Sequence, residues 1–428
     1  MQRFIERGFA TYKTKVAIIG GGTGGLAVCG QLLRKGIVNA KDMIVLEPNK
    51  EHTYCSYTTI VGAGLCGNSD DSVKRYERFH ARPIAKVFPK DVKVLPHKAN
   101  SLDPDHNFIT TETGDQINYE IMLLSPGLEN NFPSIEGSLQ ALQNPSSAVG
   151  SIYDGFQGAC RVNRLRQEIT GGVILFSNAL PPAKCAGAPL KMCFLLEDYL
   201  ARTGKRKDTE LHYYCTINTL FSIPEYAGVL LEMTRKRGIH VHFGQVLSKI
   251  EGDKKVAHFR DAKNGKVTPV KFDFLHFSPH FKAFDVVKNS GLCNQHGLIM
   301  VNTETLQHVK YKNVFSLGDG SDIPVNKTAA SVTVQAPVVV HNIGRVLKNA
   351  ELNAKYNGYS VCPVYTGNKK MLFTESLYGY PYKSFFVSNM KPKWFYYFFT
   401  LRLMPRFYWR YLPRGRWYGT KFIFSPTF

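Results

Sequence analysis

Ten residues near the amino end constrain this chain more than any others. Val16-Ala17-Ile18-Ile19 is a short apolar run that reads as a β-strand, and it leads directly into Gly20-Gly21-Gly22-Thr23-Gly24-Gly25, which satisfies G-x-G-x-x-G. A helical pattern follows from Leu26 to about Lys35. The glycines have separate tasks: Gly20 for a tight turn, Gly22 for close approach of backbone N–H groups to a pyrophosphate, Gly25 for helix-to-sheet packing. The helix then points its positive dipole end at the anion. A second strand, Met43-Ile44-Val45-Leu46, ends in Glu47, placed to accept hydrogen bonds from ribose hydroxyls. A glycine pattern alone is weak, but strand, glycines, helix, strand and acid in that order specify a dinucleotide-binding βαβ unit.

Which dinucleotide binds is read far downstream. Asn313-Val314-Phe315-Ser316-Leu317-Gly318-Asp319-Gly320 is a strand ending in Gly-Asp, followed by a helical stretch from Lys327-Thr328-Ala329-Ala330 to about Gly344. This resembles the second FAD fingerprint of the two-dinucleotide-domain disulfide-reductase superfamily. There the aspartate holds the ribityl chain and the helix N-terminus faces the flavin pyrimidine ring. Tyr119-Glu120-Ile121-Met122-Leu123-Leu124-Ser125-Pro126-Gly127 resembles the same family's crossover between domains, with Ser-Pro in place of Ala-Thr. The implied cofactor is FAD. With 428 residues, 44% of them hydrophobic, the chain is long enough for two Rossmann-like domains with developed cores. The expected division is an α/β FAD domain at 14–144 and 295–345, a second Rossmann-like domain at 145–294, and a C-terminal region from 346 to 428.

The second domain departs from a nicotinamide-binding pattern. A helical run from Ser147 to Ile169 leads into the strand Gly172-Val173-Ile174-Leu175-Phe176, where another glycine cradle would follow. Instead the chain reads Ser177-Asn178-Ala179-Leu180-Pro181-Pro182-Ala183-Lys184-Cys185. Prolines have no N–H to offer a phosphate. Ala186-Gly187-Ala188-Pro189 then leads to a helix pattern continuing to about Arg202, so Cys185 stands just before a helix N-terminus and beside Lys184. Both lower a thiol pKa. Of the nine cysteines, Cys29, Cys193 and Cys215 lie in apolar helix or strand patterns and read as core filler. No C-x-x-C and no Cys/His grouping at zinc spacing occurs, so no metal is expected.

Cys362 falls in Tyr356-Asn357-Gly358-Tyr359-Ser360-Val361-Cys362-Pro363, which reads as a loop. P-x-K-C-A-G-A-P-x-K around Cys185, Y-x-G-Y-x-x-C-P around Cys362 and the FAD fingerprints together resemble the sulfide:quinone oxidoreductases of eukaryotic mitochondria, from about Lys15 to the C-terminus. Cys55-Ser56 stands where relatives often have Gln-Pro. The resemblance implies that hydrogen sulfide attacks a Cys185–Cys362 disulfide, leaving a persulfide on Cys362 and Cys185 to attack the flavin. The sulfane sulfur would pass to glutathione or sulfite, and the electrons through FAD to ubiquinone. Gly20, Gly21, Gly22, Gly25, Glu47, Ala99, Gly127, Asp319, Lys327, Thr328, Ala329 and Ala330 are the implied cofactor contacts, Lys327 favouring anionic reduced flavin. Two other readings are a type II NADH:quinone oxidoreductase, which would need a second glycine loop and no paired cysteines, and a flavin-binding membrane or signalling protein without turnover.

After Glu375 there is no acidic residue, while Lys383, Lys391, Lys393, Arg402, Arg406, Arg410, Arg414, Arg416 and Lys421 are basic and the only tryptophans, Trp394, Trp409 and Trp417, all fall here. Aromatics mixed with long cations suit an anionic membrane surface. The longest uncharged piece, Trp394 to Leu401, is too short to span a bilayer. An amphipathic monotopic segment at about 383–418 is therefore expected, the alternative being a helical hairpin packed on the body. A net charge of +21 also suits nucleic acid, but the flavin frame already occupies most of the chain. Phe385 and Phe386 are candidate liners of a quinone pocket. Residues 1–13, with Arg3 and Arg7 among apolar residues, resemble part of a mitochondrial targeting segment, which implies an inner-membrane location.

Overall fold

The structure, a computed structural model, describes residues 9–383 and 390–428. Residues 1–8 of the expected targeting segment, together with Phe385 and Phe386, lie outside the described residues. Strand β1 (Thr11–Ile19) gives way to helix α1 (Thr23–Arg34) and then to β2 (Met43–Leu46). β1 is parallel to β2, with Val16 beside Met43, and to β3 (Gln116–Leu124), with Val16 beside Ile121. Val16 to Ile19 are all buried, as expected of parallel strands covered on both faces.

A second parallel sheet centres on β4 (Gly172–Ser177), flanked by Phe274–Phe277 and Thr209–Cys215, with Val149–Gly150 and Ile239–Phe243 at its edges. The helix expected from Ser147 starts later, at Gly155–Glu168, because Val149 and Gly150 pair with Leu275 and His276 and complete the sheet. Helix α2 (Ala188–Arg202) follows the cysteine loop, with Pro189 in its first turn. The chain then returns to the first sheet: β5 (Val314–Ser316) pairs with β3 and is followed by α3 (Ala329–Val346). The first sheet is thus built from two separated stretches of chain.

Cys362 does not lie in a loop. It sits mid-strand in β6 (Tyr359–Gly367), opposite Thr374 of the antiparallel strand Lys370–Leu377, in a strand buried along almost its whole length. The C-terminal segment forms a short helix, Trp394–Phe398, a π-helical turn, Phe399–Leu403, and α4 (Met404–Tyr411). It does not present all three tryptophans to solvent. Trp409 and Trp417 are buried on the body, whereas Trp394 is 67% exposed. The Trp409 indole donates to the Phe79 carbonyl at 2.8 Å, and Arg82 stacks over its ring at 4.5 Å. Among the described residues no helix is long and apolar enough to cross a membrane.

Candidate active site

Beyond β4 the chain passes through a cis Pro181–Pro182 bond and reaches Cys185 at φ +42°, a left-handed conformation rare outside glycine. Several bonds hold it there. The Cys185 N–H donates to the Lys327 carbonyl at 3.0 Å, the Ala188 N–H donates to the Cys185 carbonyl at 2.8 Å, and the Tyr153 hydroxyl lies 3.1 Å from the carbonyl oxygens of both Lys184 and Cys185. The segment that begins α3 thereby fixes the cysteine that precedes α2.

The sulfurs of Cys185 and Cys362 meet in a shared hydrogen bond. Gly187 makes this approach possible, since a Cβ there would stand 3.1 Å from the Cys362 sulfur. The Lys191 ammonium, from the first turn of α2, lies 3.3 Å from the Cys185 sulfur and also reaches Cys362. The Cys362 hydrogen bond, and after it the Lys191 charge, hold Cys185 below the usual thiol value against the opposing effect of burial. Cys362 moves the opposite way: its bond to Cys185 and its burial raise it. Burial alone would lower Lys191, but the Cys185 thiolate more than reverses this and keeps the ammonium charged. One proton is thus shared unevenly, with Cys185 the thiolate and Cys362 the thiol.

The neighbouring lysine expected to activate Cys185 is not the one that does so. Lys184 points away, donating to the Asn130 side chain at 3.2 Å and lying over the Phe281 ring. Sequence reasoning missed Lys191, whose one signal was its place as the last letter of P-x-K-C-A-G-A-P-x-K; it is 7% exposed, a burial lysine rarely accepts unpaired. Cys29, Cys193 and Cys215, read as core filler, are buried. Burial pushes the Cys29 thiol up to about 12 and raises those of Cys193 and Cys215. Among the described residues no cluster of metal-ligating side chains occurs.

Several of the residues named for the cofactor follow the C-terminal ends of strands in the first sheet: Gly20 after Ile19, Glu47 after Leu46, Gly127 after Leu124 and Asp319 after Ser316. A Cβ on Gly20 would lie 2.3 Å from the Ser125 carbonyl oxygen, and one on Gly25 only 2.0 Å from the Gly20 carbonyl oxygen. Gly22 is the opposite case: it is exposed and a Cβ there would meet nothing within 4 Å. The loop is therefore tight where it packs and open in front of α1, whose N-terminus has no side-chain cap. That geometry fits a dinucleotide pyrophosphate. Glu47 accepts the Gly21 N–H at 2.7 Å and both nitrogens of Asn49, so it braces the loop. Ala99 opens the strand Ala99–Asp103 with a half-buried side chain.

Gly127, at φ +70°, has open space before it and approaches Gly320 closely. Burial raises the Asp319 carboxyl, and Lys184 and Lys327 partly offset this. The Lys327 ammonium donates to the carbonyls of Ser321 and Ile323. Thr328 caps α3 by accepting the Ser331 N–H, and Ala329 and Ala330 form its first turn. Small residues at this helix start leave room for a planar ring, which suits a flavin. Two further hydroxyls were not legible in the sequence: those of Tyr365 and Thr400 are buried without a hydrogen-bond partner among the described residues.

No family model matches the chain. A curated relative, the mitochondrial sulfide:quinone oxidoreductase of Dictyostelium discoideum, is 34% identical over 415 residues, covering 96% of this chain and 89% of the relative. Among solved structures, the sulfide:quinone oxidoreductase of Aquifex aeolicus superposes with a TM-score of 0.78 at 22% identity, covering 94% of this chain and 92% of that one. A chain of the Tetrahymena thermophila mitochondrial ATP synthase superposes with a TM-score of 0.83 at 20% identity, covering 97% of this chain and all of that one. At these identities the two structures attest the fold alone.

Proposed function

The chain belongs to the sulfide:quinone oxidoreductase family and is a flavoenzyme that oxidises sulfide and reduces a quinone, and from that premise we propose that Cys185 and Cys362 carry the sulfur chemistry. The observation that carries this reading is the buried Lys191 ammonium set against a two-cysteine pair of unequal acidity. In a disulfide, the sulfur with the lower thiol pKa is the better leaving group. Hydrosulfide therefore attacks Cys362: the Cys185–Cys362 bond breaks, a persulfide forms on Cys362, and Cys185 departs as a thiolate paired with Lys191. A nucleophile such as glutathione or sulfite takes the outer sulfur and leaves a Cys362 thiolate. The two thiolates return to the disulfide by giving up two electrons. With a thiol as acceptor, sulfide, thiol and quinone become a persulfide and a quinol.

FAD, when bound, supplies the two-electron transfer between sulfur and quinone. The open Gly22 loop and the N-terminus of α1 are suited to its pyrophosphate, Glu47 and Ala99 to its adenosine side, Gly127 and Asp319 to its ribityl chain, and Lys327 to Ala330 to its ring. The unpartnered Tyr365 hydroxyl is suited to donate to a quinone carbonyl, as is Thr400, three residues from the Tyr397 ring that packs edge-on against Tyr365 at 5.7 Å. Tyr365→Phe is expected to raise the quinone KM about tenfold, the effect of one hydrogen bond, while leaving reduction of the flavin by sulfide unchanged.

Membrane attachment, at the inner mitochondrial membrane, is assigned to the exposed face of the C-terminal segment. Trp394, Phe395 and Phe398 are exposed there beside Lys391 and Lys393. Deleting everything after Tyr382 would be a poor test, because Tyr408, Trp409 and Trp417 belong to the core. Trp394→Ser with Phe398→Ser is the cleaner variant, and it should lose binding to anionic liposomes. The enzyme reading is tested by adding sulfide anaerobically and following the flavin spectrum. Reduction is expected in the wild type, and a rate at least about a thousandfold lower in Cys185→Ser and Cys362→Ser, the scale for removing a nucleophile. Wild-type rates in both variants would refute the cysteine mechanism.

A further inference from the structure

The C-terminal segment reaches back across the molecule to the glycine loop. The hydroxyl of Tyr408, on α4, is fully buried, 2.6 Å from His52 Nε2 and 2.8 Å from Thr23 Oγ1, while His52 Nδ1 lies 2.9 Å from the Gly21 carbonyl oxygen. Chemistry allows these contacts only one direction. A carbonyl can only accept, so Nδ1 carries the proton and Nε2 does not. The Tyr408 O–H must then donate to Nε2, and its oxygen accepts from Thr23. Burial lowers His52 to about 4, which keeps the ring neutral and the chain intact at physiological pH.

Three further contacts seat the same segment. The Tyr54 ring stacks on Tyr408 at 4.3 Å. Gln31 of α1 donates to the Trp417 carbonyl at 3.1 Å. Gly30 of α1 and Gly415 meet backbone to backbone, so closely that a Cβ on Gly415 would stand 2.3 Å from the Gly30 oxygen. Within its own domain the glycine loop is held by Glu47 at the Gly21 N–H and by His52 at the Gly21 carbonyl oxygen, and the Tyr408 hydroxyl ties the second of these to the C-terminal segment.

We propose that the C-terminal segment is a strap that holds the first dinucleotide loop in its binding conformation, with Tyr408 as a positioning residue for cofactor retention. The proposal rests on the reading that this loop takes the FAD pyrophosphate. Its consequence is that flavin is retained by a segment nearly four hundred residues away in sequence, as well as by the loop's own glycines.

The test is the rate at which the purified holoenzyme releases flavin on dilution into buffer containing a flavin-scavenging apoprotein, read by flavin fluorescence. Tyr408→Phe keeps the ring and removes only the hydroxyl. It is expected to speed release about tenfold, the scale of one buried hydrogen bond. Gly415→Ala lifts the strap from α1 without touching the hydrogen-bond chain, and it should do the same. Arg410→Gln, on the exposed side of α4, should release flavin at the wild-type rate. Faster release with an unchanged unfolding temperature of the apoprotein supports the strap. Wild-type release in both variants overturns it, as does faster release that merely tracks a fall in that temperature. If Tyr408→Phe does not fold, Gly415→Ala decides alone. A wild type that takes up no flavin at all would instead overturn the cofactor reading, and the strap with it.

Discussion

Two loops of this molecule occupy the same place in the same kind of unit and end in opposite chemistry. Each follows a parallel strand, β1 or β4, and each precedes a helix whose N-terminus has no side-chain cap. In the first, glycines let the backbone close on itself at Gly20 and Gly25 and leave a gap at Gly22. In the second, the space is filled from within by Cys185, the Cys362 sulfur and the Lys191 ammonium. A helix N-terminus and its approach loop do not dictate a ligand. What stands in front of them does, whether empty space for an anion or a thiolate the protein supplies itself.

The comparison is most exposed at Lys191. In the reduced protein, alkylation of Cys185 should rise with pH through about 6, because only the thiolate reacts and its thiol is held there by Cys362 and Lys191. Lys191→Met removes the charge and should move that rise upward toward the ordinary thiol range. At neutral pH the rate would fall by roughly tenfold for each unit by which the thiol pKa comes to exceed the pH. An unchanged profile would mean that the second loop owes its acidity to something else.

The first loop is tested by a pair of alanines. Gly25→Ala forces a Cβ against the Gly20 carbonyl oxygen and should destabilise the apoprotein by about 1–3 kcal/mol, as overpacking does. Gly22→Ala meets open space, so chemical denaturation of the apoprotein should barely change while flavin affinity falls by a smaller but measurable factor. Equal effects of the two substitutions on stability and affinity would erase the distinction between packed and open glycines.

These two loops were not equally legible in the sequence. The first could be read through because each step is local: β1, α1 and β2 follow from apolar runs and glycine spacing, and α1 merely begins at Thr23 instead of Leu26. The second could be read only up to Cys185. Its activating lysine lies a helical turn beyond the loop, and its partner sulfur sits on a strand that looked like a loop because its sequence is broken by Gly358 and Pro363. Lys184 was the obvious neighbour in sequence but not in space, since the left-handed turn at Cys185 separates them. The C-terminal aromatics mislead for a related reason. Tyrosine and tryptophan serve a membrane interface and a protein core equally well, and only tertiary packing assigned Tyr408, Trp409 and Trp417 to the core and Trp394 to the surface.

Which sulfur of the pair sulfide attacks is the decisive step of the mechanism. The direct measurement is to quench the oxidised enzyme shortly after a single equivalent of sulfide under anaerobic conditions, alkylate it, and locate the added sulfur by peptide mass spectrometry. The unequal acidity of the pair predicts one extra sulfur on the peptide that carries Cys362, with Cys185 alkylated as the free thiolate. An extra sulfur on the Cys185 peptide, or on neither, would contradict it.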